Sequence, residues 1–211
     1  EGGAFAGCEA LTDIECGKLE IIESEAFAEC GSLMSINLPS AKIVEENAFY
    51  YCPALTDLTF SSKLERIEGE AFLDCPFLER ITIPLKDGMI THDDIFQGCD
   101  NLKHVDLVEG EVHETIAALQ LEEWRNDMYG EISSINQVLP TVDAGGLDDD
   151  DEVRVFDEGG KAQAIRTWIR SVIGKIIHYQ AEHQRLLDEE VATTLQLALP
   201  RDIVMNNVLP F

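Results

Sequence analysis

Five stretches of the chain share one order of apolar and polar positions. A phenylalanine is followed three residues later by a cysteine and three further on by a leucine: Phe5, Cys8 and Leu11; Phe27, Cys30 and Leu33; Phe49, Cys52 and Leu55; Phe72, Cys75 and Leu78; Phe96, Cys99 and Leu102. Two apolar positions spaced by two then close each unit, at Ile14 and Cys16, Ile36 and Leu38, Leu58 and Phe60, Ile81 and Ile83, and Val105 and Leu107. The unit reads A-F-x-x-C-x-x-L-x-x-I-x-L, with Ile95 replacing the alanine once, and its cysteines recur at intervals of 22, 22, 23 and 24 residues. Apolar residues at i, i+3 and i+6 lie on one face of a short helical turn, whereas apolar positions in alternation belong to a strand with one buried side. One unit cannot bury either face alone. Stacked units bury both, so the pattern predicts an α/β solenoid of about five repeats, with parallel strands on one side and helical turns on the other. At about 4.8 Å per strand, its sheet is only about 24 Å along the stack.

From Glu111 the repeat gives way to a helical stripe through Ala117, Leu121, Trp124, Met128, Ile132, Ile135 and Leu139. The last repeat exposes Phe96, Val105 and Leu107, and this helix is the nearest element to cover them, which places Trp124 in the core. Gly130 costs the helix about 1 kcal/mol relative to alanine, which makes it the place for a bend or a break. Between Pro140 and Gly160 eight acids face Arg154, as in a solvated linker. A second helical pattern follows to about residue 198, with apolar residues from Ile165 and Trp168 to Leu187, Val191 and Leu195. Pro200 suits the first turn of a further short helix. The chain divides into repeats over 1–110, a capping helix over 111–139, an acidic linker over 140–160 and a C-terminal helical region over 161–211.

The strand portion L-x-x-L-x-L, preceded by A-F-x-x-C, resembles the leucine-rich repeats of the BspA-like, 23-residue type, over residues 1 to about 109. The resemblance implies a short leucine-rich-repeat solenoid and a protein-interaction role on its concave face, and it pulls toward a cell-surface setting. The position after the strand lacks the Asn or Cys of commoner leucine-rich repeats, so no asparagine ladder is expected. The junction from Pro84 is the longest and sets Thr91 where Ile22, Val44 and Ile67 stood, which marks the fifth repeat as degenerate.

The cysteine ladder has two readings. Neighbouring repeats could bring Cα atoms about 5 Å apart, within reach of a disulfide. Alternatively, cysteine is a small apolar residue filling a narrow turn five times over. The second is favoured, because each cysteine shares the inward face with Phe and Leu and no nearby His or Asp completes a metal-ligand set. His178 and His183 are five apart and do not share a helix face, and the aspartates from Asp148 miss the EF-hand glycine and glutamate, where Val153 and Gly159 stand. No metal or other cofactor is expected.

Charge narrows the partners. The 41 acidic and 15 basic residues give a net charge of -26, which repels phosphates and anionic lipid, so neither nucleic acid nor a membrane is expected as a partner. No apolar run reaches the roughly 18 residues of a membrane span. Residues 161–187 are the exception, with Lys161, Arg166, Arg170, Lys175 and Arg185 opposed only by Glu182. Pairing with the acids of the same chain is the favoured reading of this helix, ahead of a membrane or nucleic-acid surface.

The outward strand positions are the candidate site: Asp13, Glu15, Ser35, Asn37, Asp57, Thr59, Arg80, Thr82, His104 and Asp106. They form a polar, mildly acidic stripe on which Arg80 alone has the character of an interface anchor, and a merely solvated sheet face is the competing reading. No nucleophile with its base and no phosphate loop is present, so a non-catalytic protein-protein interaction module is expected, ahead of an enzyme with a noncontiguous site. The alternatives are a substrate-binding ubiquitin-ligase adaptor, since Leu199, Pro200, Asp202 and Ile203 resemble the L-P-x-D-I-L opening of an F-box, and a cell-surface adhesion or recognition protein. The lack of N-x-[ST] sites and the reduced cysteines favour an intracellular address, and both ends of the chain read as cut.

Overall fold

A computed structural model describes residues 2–108, 111–139 and 160–198. The linker and calcium readings of 140–159 and the F-box-like reading of 199–211 fall outside the described residues.

The alternating apolar positions form the larger sheet. Its strands β1 (Asp13–Glu15), β3 (Ser35–Leu38), β5 (Asp57–Phe60), β7 (Arg80–Ile83) and β8 (His104–Leu107) are all parallel and lie in that order. Equivalent residues pair, so Asp13, Ser35, Asp57, Arg80 and His104 form one row across the strands. Their inward neighbours are buried from Ile36 to Leu107. A second parallel sheet runs along the other side, from β2 (Ile21–Ile22) through β4 (Ile43–Val44) to β6 (Arg66–Ile67). A bridge from Ile67 to Ile90 extends it. Ile90, and not Thr91, therefore takes the inward place of Ile22, Val44 and Ile67; the step from Ile83 to Ile90 equals that from Phe60 to Ile67, so the extra residue of this repeat falls between Ile90 and Phe96, and the Thr91 hydroxyl donates instead to the Ile67 carbonyl at 2.7 Å.

The phenylalanine segment differs from the expected helical turn. Residues two before and two after the ring take left-handed backbone angles: Glu25 and Glu29 (φ 57° and 58°), Asn47 and Tyr51 (58° and 50°), Glu70 and Asp74 (55° and 57°), with Gly3 and Gly7 in the first repeat. These reversals turn alternate N–H groups along the stack, so Phe27 donates to the Ala48 carbonyl at 2.8 Å and Glu29 to that of Tyr50 at 2.7 Å. The segment is a ladder of tight turns, and among the described residues only the last repeat contains a 3-10 turn, at Asp94–Phe96. The five phenyl rings consequently stack along the axis, with centroids 5.3, 5.3, 5.4 and 5.6 Å apart.

All six cysteines are free. The thiols of Cys30, Cys52, Cys75 and Cys99 each donate at 3.1 Å to the phenylalanine carbonyl of the preceding turn, on Phe5, Phe27, Phe49 and Phe72. The ladder therefore satisfies a polar group as well as filling space.

The helical half closes the far end of the stack. The continuous helix expected over 111–139 is two helices, α1 (Glu111–Ala117) and α2 (Glu122–Val138), and α2 passes through Gly130 without interruption. The break at 118–121 resets the phase: Ile116 and Leu119 are buried, whereas Ala117 and Leu121 are exposed and Trp124 is half-buried, stacked on Tyr179 with centroids 5.2 Å apart. The long helix α3 (Gly160–Ala198) runs antiparallel to α2, since Trp124 meets Tyr179 while Glu131 meets Trp168. Ile165, Trp168, Ile169 and Val172 join Met128, Ile135 and the solenoid interior in one continuous core.

Candidate interaction surface

Period-2 alternation turns the ten candidate residues to one side of the larger sheet. Eight are exposed, and Thr82 and Asp106 are half-buried. Two rows result. One is Asp13, Ser35, Asp57, Arg80 and His104; the other is Glu15, Asn37, Thr59, Thr82 and Asp106. The guanidinium of Arg80 pairs with Asp106 and lies 3.9 Å from Asp57. Its charge is spent within the face, so Arg80 is not the open anchor its composition suggested. One guanidinium between two carboxylates leaves one of those charges uncompensated, and Asp13 and Glu15, on the first strand, carry the rest of the acidity.

The basic helix has partners from the same chain. Lys161 is buried and its ammonium donates to three backbone carbonyls at the end of the stack, Cys99 at 2.6 Å, Asp100 at 3.1 Å and Leu102 at 3.2 Å. Arg166 pairs with Asp93, and Arg170 with Asp87 at 3.0 Å. Lys175 reaches Asp127 at 2.8 Å and Glu131 at 3.1 Å, both on α2. Arg185 pairs within α3, with Glu182 at 3.0 Å. The hydrogen bonds from Lys175 and Tyr179 hold the Asp127 carboxyl below its usual range, and the bond to Asp127 pushes the Lys175 ammonium up.

The open edge of the last strand is met from α2, where the Asn136 side-chain oxygen accepts from the Val105 N–H at 3.0 Å. Neither Asn136 nor the carbonyl cradle of Lys161 is visible in the sequence, because both depend on where the cap lands. The only trace was that Lys161 is the first base of the basic stretch.

Several further titratable groups are buried or have structural partners. Burial pushes the Cys30 thiol up to about 11 and the Cys99 thiol to about 12, and the neighbouring Cys75 thiol together with burial raises that of Cys52, so these groups stay protonated at neutral pH. A depression of about 390 Å³ beside the second sheet is lined by five carboxylates with Arg66 and His92. Of these, Glu45 accepts from the Ser24 N–H at 3.0 Å, Asp94 from the Glu70 N–H at 3.1 Å, and Glu68 pairs with Arg66. Among the described residues, no group of three or more His, Cys, Asp or Glu is placed to hold a metal ion, and no helix is long and apolar enough to cross a membrane.

Comparison with known proteins gives a family and several structural likenesses. None of the curated proteins matches the chain. Among solved structures, a leucine-rich repeat protein of T. pallidum is 23% identical with a TM-score of 0.41, over 50% of this chain and 60% of its own. The pneumococcal vaccine antigen PcpA is 19% identical with a TM-score of 0.42, over 52% and 38%. A leucine-rich repeat protein from Bacteroides ovatus is 27% identical with a TM-score of 0.35, over 50% and 33%. The matched part thus spans a third to three fifths of those chains. The ligase-adaptor expectation gains no support from any of these likenesses. Residues 1–115 match the BspA type leucine rich repeat region in six copies, which is more than half of the sequence and the same stretch that carries the Phe–Cys–Leu period. The chain belongs to the BspA-type leucine-rich repeat family.

Proposed function

We propose that this chain is a non-catalytic protein-interaction module whose contact surface is the outward side of the five-stranded sheet. The observation that carries the reading is an asymmetry of covering. The end of the stack beyond β8 is sealed by α2 and α3, with Asn136 on the edge strand and Lys161 on the terminal carbonyls. The side chains of β1, β3 and β5 on the sheet face remain exposed. Such a surface is polar, rigid and built on strands that a continuous core holds in register, which suits recognition of another polypeptide.

A photo-crosslinking amino acid replacing Thr59 tests the reading, with a second at Lys63, an exposed turn position past the strand, as reference. In the source cells the Thr59 probe is expected to capture a discrete protein that the Lys63 probe does not. Added Asn37→Arg should abolish the adduct. Equal capture from both positions would overturn the assignment of this face.

A further inference from the structure

The acids of the sheet face are spaced in a way that bears on what it receives. Asp13 and Glu15 stand on β1, Asp57 on β5 and Asp106 on β8, which are the first, third and fifth strands in spatial order. The strands between them carry Ser35 and Asn37 on β3 and Thr82 beside Arg80 on β7. Adjacent strands lie about 4.8 Å apart, so acid-bearing strands recur every ~9.6 Å across the sheet, with Asp13 and Asp57 two strands apart in one row and Glu15 and Asp106 four strands apart in the other. A β-extended peptide repeats its same-side residues every ~6.8 Å and falls out of step. A polyproline-II segment repeats them at every third residue, ~9.3 Å, and stays in step.

The chain's own cations show how these carboxylates behave. Arg80, the only Lys or Arg among the ten face residues, sits between Asp57 and Asp106. The helix cations are engaged elsewhere, on Asp87, Asp93, Asp127 and the terminal carbonyls. Asp13 accepts the neighbouring Thr12 hydroxyl at 3.2 Å, and no described lysine or arginine pairs with it or with Glu15. Resting on the reading of this face as a docking surface, we propose that its occupant is an extended, polyproline-II-like polypeptide segment with lysine or arginine at every third position, lying across the strands. In the free protein Arg80 holds the place of one of those cations.

The test uses the full chain and a labelled peptide of Lys-Pro-Pro triplets, followed by fluorescence anisotropy at low salt. Three comparison peptides replace lysine by glutamate, replace it by glutamine, or gather the lysines into one block. The triplet peptide is expected to bind about tenfold tighter than the glutamate peptide and measurably tighter than the block peptide. Asp13→Asn with Glu15→Gln should weaken it about fivefold. Arg80→Ala should tighten it by freeing Asp57 and Asp106, while Arg66→Ala, which removes a cation from the other sheet, should leave it unchanged. Equal binding of triplet and block peptides would overturn the proposal. So would insensitivity to the Asp13 and Glu15 changes, or equal tightening by both arginine variants, which would reveal attraction to the overall charge alone. If the glutamine peptide binds as well as the lysine one and crosslinks to the Thr59 probe, the cation inference fails and the docking surface stands. If no peptide binds and the Thr59 probe captures nothing, both fail.

Discussion

Gly98 shows how a single backbone angle holds the last repeat in place. Its φ of 73° lies in the left-handed region, and an added Cβ would come within 2.4 Å of Asp74 Oδ1 and 3.0 Å of the Asp74 backbone. Gly98→Ala should therefore cost about 3 kcal/mol, seen as a lower midpoint of thermal unfolding. The reverse change is expected to help where a side chain already occupies such an angle. Glu25 is exposed at φ 57°, and Glu25→Gly should stabilise by up to about 1 kcal/mol. This geometry was barely legible in the sequence. Gly3, Gly7 and Gly98 mark the left-handed positions in the outer repeats, but Glu25, Glu29, Tyr51 and Glu70 occupy them in the inner ones, and such residues ordinarily signal nothing of the kind. The thiols lend themselves to a separate measurement. Cys8 and Cys16 are only partly buried, whereas Cys30, Cys52, Cys75 and Cys99 are closed off. Alkylation at pH 8 should label the first two readily and the other four at the rate of unfolding. Because burial raises the Cys30 and Cys99 thiols in the folded state, their contribution to stability is present below the unfolded thiol value of about 8.5. It is lost as pH rises toward 11 and 12.

The helical kind of the cap elements is written in their sequence, and their phase is not. A continuous helix over 111–139 was a natural reading, because 118–121 holds no proline or glycine, and Gly130 was the evident weak point. Packing decided otherwise: burying Ile116 and Leu119 before Met128 and Ile135 requires a corner, and the Gly130 helix is held by its neighbours on both sides. Lys161 fastens the start of α3 to the last turn. Lys161→Met keeps the aliphatic stem, removes the ammonium from the Asp100 and Leu102 carbonyls and leaves the Cys99 carbonyl with the Leu102 N–H alone, so a loss of about 3 kcal/mol is expected. In that variant the amides of Ile165 to Val172 should lose hydrogen-exchange protection relative to the parent chain. The Asp127 contacts lie nearer the surface. A carboxyl whose folded value is lowered contributes stability above its unfolded value of about 3.9, lost as pH falls through the folded value. Asp127→Asn should thus cost about 0.5 kcal/mol at pH 7, after solvent screening, and nothing at pH 2.

For the whole molecule, one acidic solenoid end receives a basic helix and one acidic sheet face remains open. Of the charges in residues 1–110, 22 acidic residues stand against 7 basic ones, while residues 161–187 carry five bases and one acid. The sequence made that segregation plain, along with the strand order and the outward positions of the sheet. The Arg80 pairs were not legible, because Asp57 and Asp106 approach it only once the strands are stacked 23 and 26 residues apart. Adding the Lys-Pro-Pro peptide to isotopically labelled protein and following amide chemical shifts tests the surface assignment directly. Shifts should concentrate on the strands of the larger sheet, β1, β3, β5, β7 and β8, and leave α3 untouched. Shifts confined to α3, or to the carboxylate-lined depression beside β6, would contradict it.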